Sequence, residues 1–491
     1  MNILLVYPKY PDTFWSFKYI LKFISKKAAF PPLGLLTVSS LLPKNWNKRL
    51  VDLNVQELED EAILWADYVF IGAMLVQKES ILQVVARCNY LGKKVVAGGP
   101  AFTTQHELYK GVDYFVLNEG EVTIPMFVKD LEEGNLKHIY TSGERPNIEL
   151  TPVPDWSLID FKNYATMPVQ YSRGCPFNCE FCDIVIMNGH VPRTKTPRQM
   201  VGEFNALKNS GWKGPVFIVD DNFIGNKFKV KQMLPYIIRW QKRNKYPFSL
   251  LTEASTNLAD DSKLMKLMRM ANFFKVFLGI ETPNLESLKE CGKYQNVTRN
   301  LDESVKIIHQ NGMQVMGGFI VGFDNDNSTI FDSQISFIQR TGVVAAMVGL
   351  LNAIPKTKLW DRLNAENRLV KDSSGENTDG TLNFKPKMGK KKLIEGYKKI
   401  LASIYHRKSY YNRIHTFLKD YKPTVKVRIQ KSDIKALFTS MFKIGIVSNS
   451  RYRYWKLMIK TLLTKRKAIP VAIELAIYGH HFERVVKKIV N

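Results

Sequence analysis

Three of the five cysteines fall within eight residues, as Cys175-Pro-Phe-Asn-Cys179-Glu-Phe-Cys182. A C-x3-C-x2-C spacing lets one loop present three thiolates to three irons of a [4Fe–4S] cluster, leaving the fourth iron without a protein ligand. A four-cysteine site closes such a cluster for electron transfer, whereas an open iron invites a substrate or cofactor to coordinate it. The competing reading is a zinc loop or three incidental cysteines. Structural zinc asks for four ligands, usually in two separated pairs. No fourth cysteine or histidine lies close by, and His190 is the nearest candidate.

The residues leading into the loop, Tyr171-Ser-Arg-Gly-Cys175, resemble the radical S-adenosylmethionine superfamily. In that family the free iron binds the amino and carboxylate groups of S-adenosylmethionine, and one-electron reduction yields a 5′-deoxyadenosyl radical. The resemblance therefore implies a [4Fe–4S] cluster, S-adenosylmethionine and a reductant such as flavodoxin or ferredoxin, with Cys175, Cys179 and Cys182 as the metal ligands and catalytic centre.

Around this loop, from about residue 167 to 384, short apolar runs alternate with helical patterns, as a parallel βα barrel requires. Val216-Phe-Ile-Val-Asp-Asp221 ends in paired acids, Phe248-Ser-Leu-Leu-Thr-Glu253-Ala-Ser255 in polar groups, and Phe277-Leu-Gly279-Ile-Glu281 and Gly318-Phe-Ile320-Val-Gly322 follow. Barrels place their chemistry at such strand ends. The resemblance implies that Asp220, Asp221, Glu253, Ser255 and Glu281 surround S-adenosylmethionine; each acid could instead cap the next helix. Arg193-Thr-Lys195, with Glu203 on the next helix, matches a basic segment common after the cluster loop, with an electrostatic or a structural role.

The N-terminal part reads as a doubly wound α/β domain of about 140 residues. Its apolar runs end at Leu53, Met74, Gly99 and Glu119. Ligands of such folds sit at the carboxyl ends of the strands, which singles out Gly72, Met74, Gly98, Gly99, Pro100, Glu119 and Gly120 as cofactor contacts. Glycines there admit a bulky ligand close to the backbone. No G-x-G-x-x-G follows the first strand, which disfavours a nicotinamide site. Pro31-Pro-Leu-Gly34 and Asn118-Glu-Gly-Glu121-x-Thr123-x-Pro125 are similar instead to the cobalamin-binding domain found in front of many radical S-adenosylmethionine enzymes. The D-x-H-x-x-G motif, whose histidine ligates cobalt from below, is absent. The only histidines of this part are His106 and His138, so cobalamin is expected without a protein imidazole on its lower face. The alternative is a Rossmann-like scaffold with an empty pocket.

Pro146, Pro152 and Pro154 exclude regular helix from the segment that follows. The expected organisation is a cobalamin-binding Rossmann-like domain over 1–142, a linker over 143–165, a partial (βα)6 barrel over 166–384 and a basic, mostly helical domain over 385–491. The chain carries net charge +26, and residues 385–491 contain 27 basic and 5 acidic side chains, so nearly all the excess lies in this last module. Its charges are interleaved with aromatics, as in Tyr452-Arg-Tyr-Trp455-Lys. Such a face suits an anionic membrane surface; a solvated basic face serves equally, and nucleic acid is the less favoured partner. The module resembles the domain that closes a lipid-modifying subgroup of cobalamin-dependent radical enzymes, whose best-known members methylate hopanoids. Val6-Tyr-Pro8 and Phe14-Trp-Ser-Phe17 match the opening of that subgroup.

No secretory signal is expected from the opening residues, and the longest uncharged apolar stretches, 28–43 and 343–355, fall short of the roughly 18–20 residues of a spanning helix. The expected location is cytoplasmic, with peripheral contact at the inner face of the cell membrane. The resemblance implies methylation of an unactivated carbon in a small apolar substrate, a hopanoid or another membrane lipid. A carbon without an acidic proton cannot be activated by a base, so cofactors must carry that step. The alternatives are a radical carbon–carbon bond formation without methyl transfer, such as ring closure in a lipid, and a non-catalytic cobalamin-binding sensor.

Overall fold

The computed structural model describes residues 1–371, 373–376, 378–423 and 430–490; Lys426 and Arg428 of the basic module lie outside them. The apolar runs of the N-terminal part form six strands: β1 (Asn2–Tyr7), β2 (Asn47–Asp52), β3 (Tyr68–Gly72), β4 (Lys94–Gly98), β5 (Tyr114–Val116) and β6 (Ile139–Tyr140). They make one parallel sheet in the order β2-β1-β3-β4-β5-β6. Helices cover both faces, so the strands are continuous apolar runs instead of alternating ones. Ile3 and Leu5 join Leu35, Ile124 and Phe127 in one core, while Leu4 and Val6 join Ile81, Val84 and Val85 in the other. Strand order reverses between β1 and β3, and open α/β sheets bind ligands outside that point.

Three single 3-10 turns, Ile148–Leu150, Trp156–Leu158 and Phe161–Asn163, lead from this sheet into the second. There, β7 (Met167–Val169) is followed by an antiparallel pair of short strands, β8 (Ser172–Arg173) and β9 (Arg193–Thr194), which brackets the cysteine loop. The wall continues through β10 (Gly214–Ile218), β11 (Phe248–Ala254), β12 (Phe273–Glu281), β13 (Gln314–Val321) and β14 (Ala346–Leu350), all parallel and in sequence order from β7. Among the described residues no pairing joins β14 back to β7, so the barrel is open. Alternation along β11 buries Leu250, Thr252 and Ala254 and leaves Leu251, Glu253 and Ser255 half-buried. The half-buried set faces the open interior.

After the helix Lys358–Ala365, the described residues of the last module form the helices Lys390–Ile404, Arg407–Asp420, Lys431–Phe442, Arg451–Thr464 and Ile469–Val490. They share the barrel core. Lys275 of β12 pairs with Glu474, and the fully buried Arg413 donates to the carbonyls of Ile404 at 2.7 Å and Val344 at 3.1 Å. The two ends of the chain meet where Phe14 stacks on Phe482 with ring centroids 4.4 Å apart.

Candidate active site

Cys175, Cys179 and Cys182 are half-buried on the loop between β8 and the short helix Ile184–Asn188. The loop is shaped at its start by Gly174, whose φ of +98° suits glycine; a Cβ there would meet the Gly189 carbonyl oxygen at 2.8 Å. Side-chain amides approach the sulfurs. Asn222 Nδ2 lies 3.9 Å from Cys175 Sγ and Gln295 Nε2 lies 3.7 Å from Cys179 Sγ. Burial pushes the thiols of Cys175 and Cys182 up, so a bound cluster is what would deprotonate these two. Among the described residues no three thiol, imidazole or carboxylate groups converge as a single-ion site requires. A cubane asks for something else, three thiolates each on its own iron, and N–H groups aimed at sulfur are among the features that set its potential. The donor set fits the cluster.

The acids at the strand ends divide into two kinds. Asp220 is committed to the chain entering the loop, accepting from Tyr171 N at 2.7 Å and Ser172 Oγ at 2.6 Å. Asp221 accepts from Gly174 N at 2.9 Å and Asn188 Nδ2 at 3.0 Å. Glu253 stands beside both, and among the described residues its carboxylate makes no hydrogen bond; burial, reinforced by the charges of Asp221 and Asp220, pushes its carboxyl up to about 7. Burial likewise pushes Asp220 up to about 7 against its hydrogen bonds. Among the described residues no cation pairs directly with these three carboxyls, Arg173 and Arg193 acting on Asp221 only at a distance, so a sulfonium or ammonium group would relieve their repulsion. Ser255 Oγ donates to Asn257 Oδ1 at 2.7 Å, and its N–H donates to Asn222 Oδ1 at 3.2 Å. Glu281 ends β12 at φ +65°, a left-handed conformation where the pairing with β13 slips, and it pairs with the buried Lys293.

At the carboxyl edge of the first sheet the expected contacts are dispersed. Met74 is 48% exposed, with Tyr10 Oη donating to its sulfur at 3.4 Å. Pro100 begins the helix Pro100–Gln105 and is exposed, and Gly120 has no atom nearer than 3.5 Å to where its Cβ would stand. Gly72 packs against Leu35, and Gly98 and Gly99 lie against the carbonyls of Val116 and Ala73, so the chain's own packing already requires these glycines. His138 bonds to the Asp113 carbonyl at 2.7 Å and His106 turns its ring onto Phe115. The exposed edge at Met74 and Pro100 leaves room for a corrin.

Glu119 is already partnered by cations. It pairs with Arg173 at 2.7 Å and Arg193 at 2.6 Å, and Glu121 pairs with Arg173 at 2.8 Å. Arg193 also donates to the Pro146 carbonyl at 2.7 Å. This buried cluster ties the carboxyl edge of the first sheet to the residues immediately before Cys175. Lys195 and Glu203 form a second buried pair. Asn222, Gln295, Lys293 and Arg173 are site residues that sequence reasoning missed as such. Asn222 carried a signal in following the paired acids at a strand end, and Arg173 in lying within the segment that leads into Cys175.

The radical SAM superfamily model matches residues 169–332, and a domain of unknown function (DUF4070) matches residues 357–491. An uncharacterized methyltransferase of Synechocystis sp. is 39% identical over 489 residues, covering 98% of this chain and 91% of the relative. The hopanoid C-2 methylase of Rhodopseudomonas palustris is 32% identical over 494 residues, covering 98% of this chain and 92% of that enzyme. Among solved structures, the cobalamin-dependent S-adenosylmethionine radical enzyme OxsB with aqua-cobalamin bound superposes with a TM-score of 0.64 at 13% identity, over 99% of this chain and 80% of that one. The radical S-adenosylmethionine methyltransferase TsrM from Kitasatospora setae, with cobalamin and a [4Fe–4S] cluster bound, gives 0.59 at 14% identity, over 76% and 79%. The chain thus belongs to the radical S-adenosylmethionine superfamily and, within it, to the methyltransferase family of these full-length relatives, with the fold of the cobalamin-dependent radical enzymes.

Proposed function

We propose that the protein is a cobalamin-dependent radical methyltransferase that methylates an unactivated carbon of an apolar lipid of the hopanoid kind. The observation that carries this reading is the joining of two strand-end sites, the cysteine loop of the barrel and the exposed carboxyl edge of the first sheet, through Arg173 and Glu119. Full-length similarity to a hopanoid C-2 methylase supports the lipid.

Cys175, Cys179 and Cys182 would hold three irons. Asn222 and Gln295 direct N–H groups at two of the sulfurs, and Glu253 and Ser255 face the interior where S-adenosylmethionine would lie. Met74, Gly99 and Pro100 line the edge that would receive cobalamin. When bound, the cluster supplies the electron that cleaves S-adenosylmethionine and cobalamin supplies the methyl group, the chemistry that side chains alone cannot. The protein's part is to hold the loop at fixed geometry through Asp220 and Asp221, to present an uncommitted carboxyl to a cationic ligand, and to fix the two sheets against each other. Comparing the lipids of cells with and without the gene tests the reading. Loss of a lipid bearing one extra methyl group is expected, and an unchanged lipid profile would count against it.

A further inference from the structure

The helices Lys431–Phe442 and Arg451–Thr464, joined by a π turn at Lys443–Val447, form a hairpin that is apolar on both faces. Its inner face is already used. Ala436, Ile444, Tyr454 and Leu457 are buried, and the arms are tied by Ser440 Oγ to Tyr454 Oη at 2.8 Å and by Trp455 Nε1 donating to the Gly445 carbonyl at 2.9 Å. The outer face repeats the pattern in the open. Ile434, Phe438 and Phe442, at i, i+4 and i+8, are 49%, 64% and 60% exposed, and Ile459, Leu462 and Leu463 are 56%, 52% and 76% exposed. Ile446 and Val447 at the turn and Tyr452 and Trp455 at the rim complete the patch. So many large apolar side chains left exposed on one hairpin mark an interaction site.

The charge around it selects the partner. Residues 431–467 carry ten lysines and arginines and a single acid, Asp433, which caps its own helix through Gln430 N at 2.7 Å. Where these cations find partners, the partners are neutral: Lys435 donates to Ser25 Oγ at 2.6 Å and Lys443 sits over the Phe23 ring. Two copies meeting through this face would bring one basic rim against another. Nucleic acid, gripped by cations and stacking rings, could use Tyr452 and Trp455 but has no use for the exposed aliphatic side chains of Ile434, Ile459, Leu462 and Leu463. Phosphate headgroups above acyl chains match both the rim and the stripe. Among the described residues no helix is long and apolar enough to cross a membrane, so the hairpin could meet a bilayer only along its surface. We infer that this hairpin docks the enzyme on anionic bilayers, with Phe438, Phe442 and Leu463 entering the acyl layer and Lys456, Lys460 and Lys467 at the phosphates. The inference goes beyond the methyl-transfer reading and holds whichever carbon is methylated. Lys465 is not part of the rim, because it donates to the carbonyls of Lys419 and Tyr421, each at 2.9 Å.

The test is flotation of the full-length protein with phosphatidylcholine vesicles, with and without phosphatidylglycerol, beside light scattering without lipid. The wild type is expected to float with the mixed vesicles and less with the neutral ones. The combined Phe438→Ser, Phe442→Ser and Leu463→Ser variant should bind mixed vesicles at least about tenfold more weakly with an unchanged melting temperature. Lys456→Glu with Lys460→Glu should abolish the preference for the anionic mixture. Equal flotation of the serine variant and the wild type would overturn the inference. So would a wild-type dimer that the serine variant dissolves while neither floats, or a preference for RNA over mixed vesicles at the same ionic strength.

Discussion

At the scale of single residues the chemistry rests on the sulfurs and what surrounds them. Cys175→Ala, Cys179→Ala and Cys182→Ala should each abolish S-adenosylmethionine cleavage, read as 5′-deoxyadenosine formed by reduced, reconstituted protein. The buried Cys88 and Cys291 should tolerate alanine with the cluster absorption spectrum intact, since neither sulfur belongs to the loop. Asn222→Ala removes the N–H that approaches Cys175 Sγ. Iron content should hold while the reduction potential becomes more negative, because hydrogen bonds to sulfur favour the reduced cluster; redox titration reads the shift, and an unchanged potential would remove Asn222 from the site. These residues were unequally legible. The cysteine spacing is local and chemically specific, so it read directly. Asn222 and Gln295 reach the sulfurs from 47 and 116 positions away, and no local pattern announces that.

The elements were legible where burial is two-sided. A parallel strand covered by helices must be a continuous apolar run, so the strand ends at Asp220, Glu253 and Glu281 could be placed in advance. The two-residue strands β8 and β9 have no periodicity to read, and they carry Arg173 and Arg193. For that reason Glu119 reads as a cofactor contact in the sequence, whereas the structure pairs it with both arginines. Gly98 and Gly99 show a similar shift: sequence reasoning kept them small for a ligand, while the structure needs them for its own backbone contacts. Bulky substitutions there would therefore disturb the sheet as well as cobalamin binding. Arg173→Gln should cost about 3–5 kcal/mol of stability in denaturant unfolding, since it strands buried carboxylates. Burial alone would raise the Glu121 carboxyl, but hydrogen bonding and the charge of Arg173 overrule it and hold the group at about 2, below its ordinary 4.5. Its stabilising contribution is thus complete above pH 4.5 and lost as the pH falls toward 2. The stability difference between wild type and Glu121→Gln should shrink over that interval; a difference constant with pH would contradict the pairing.

At the scale of the whole molecule the basic module is part of the barrel's core. Phe482 is fully buried, stacked on Phe14 and 4.9 Å from the Tyr405 ring. Phe482→Ala should lower stability by about 3–5 kcal/mol in one cooperative transition, and an early separate transition by circular dichroism would mean that the C-terminal helices fold apart from the rest. Composition made the charge of this module plain but not its union with the N-terminus, because Phe14 and Phe482 are brought together only by the complete fold. The central claim is that two strand-end sites cooperate to move a methyl group onto an unactivated carbon. The most direct measurement supplies reduced enzyme, reconstituted with cluster and cobalamin, with S-adenosylmethionine bearing a trideuterated methyl group and the apolar lipid extract of cells lacking the gene, followed by mass spectrometry. The account predicts 5′-deoxyadenosine together with a lipid that has gained one methyl group carrying all three deuterons, and neither product from Cys179→Ala. A lipid that instead loses two hydrogens and acquires no label, or label transfer that survives in Cys179→Ala, would contradict it.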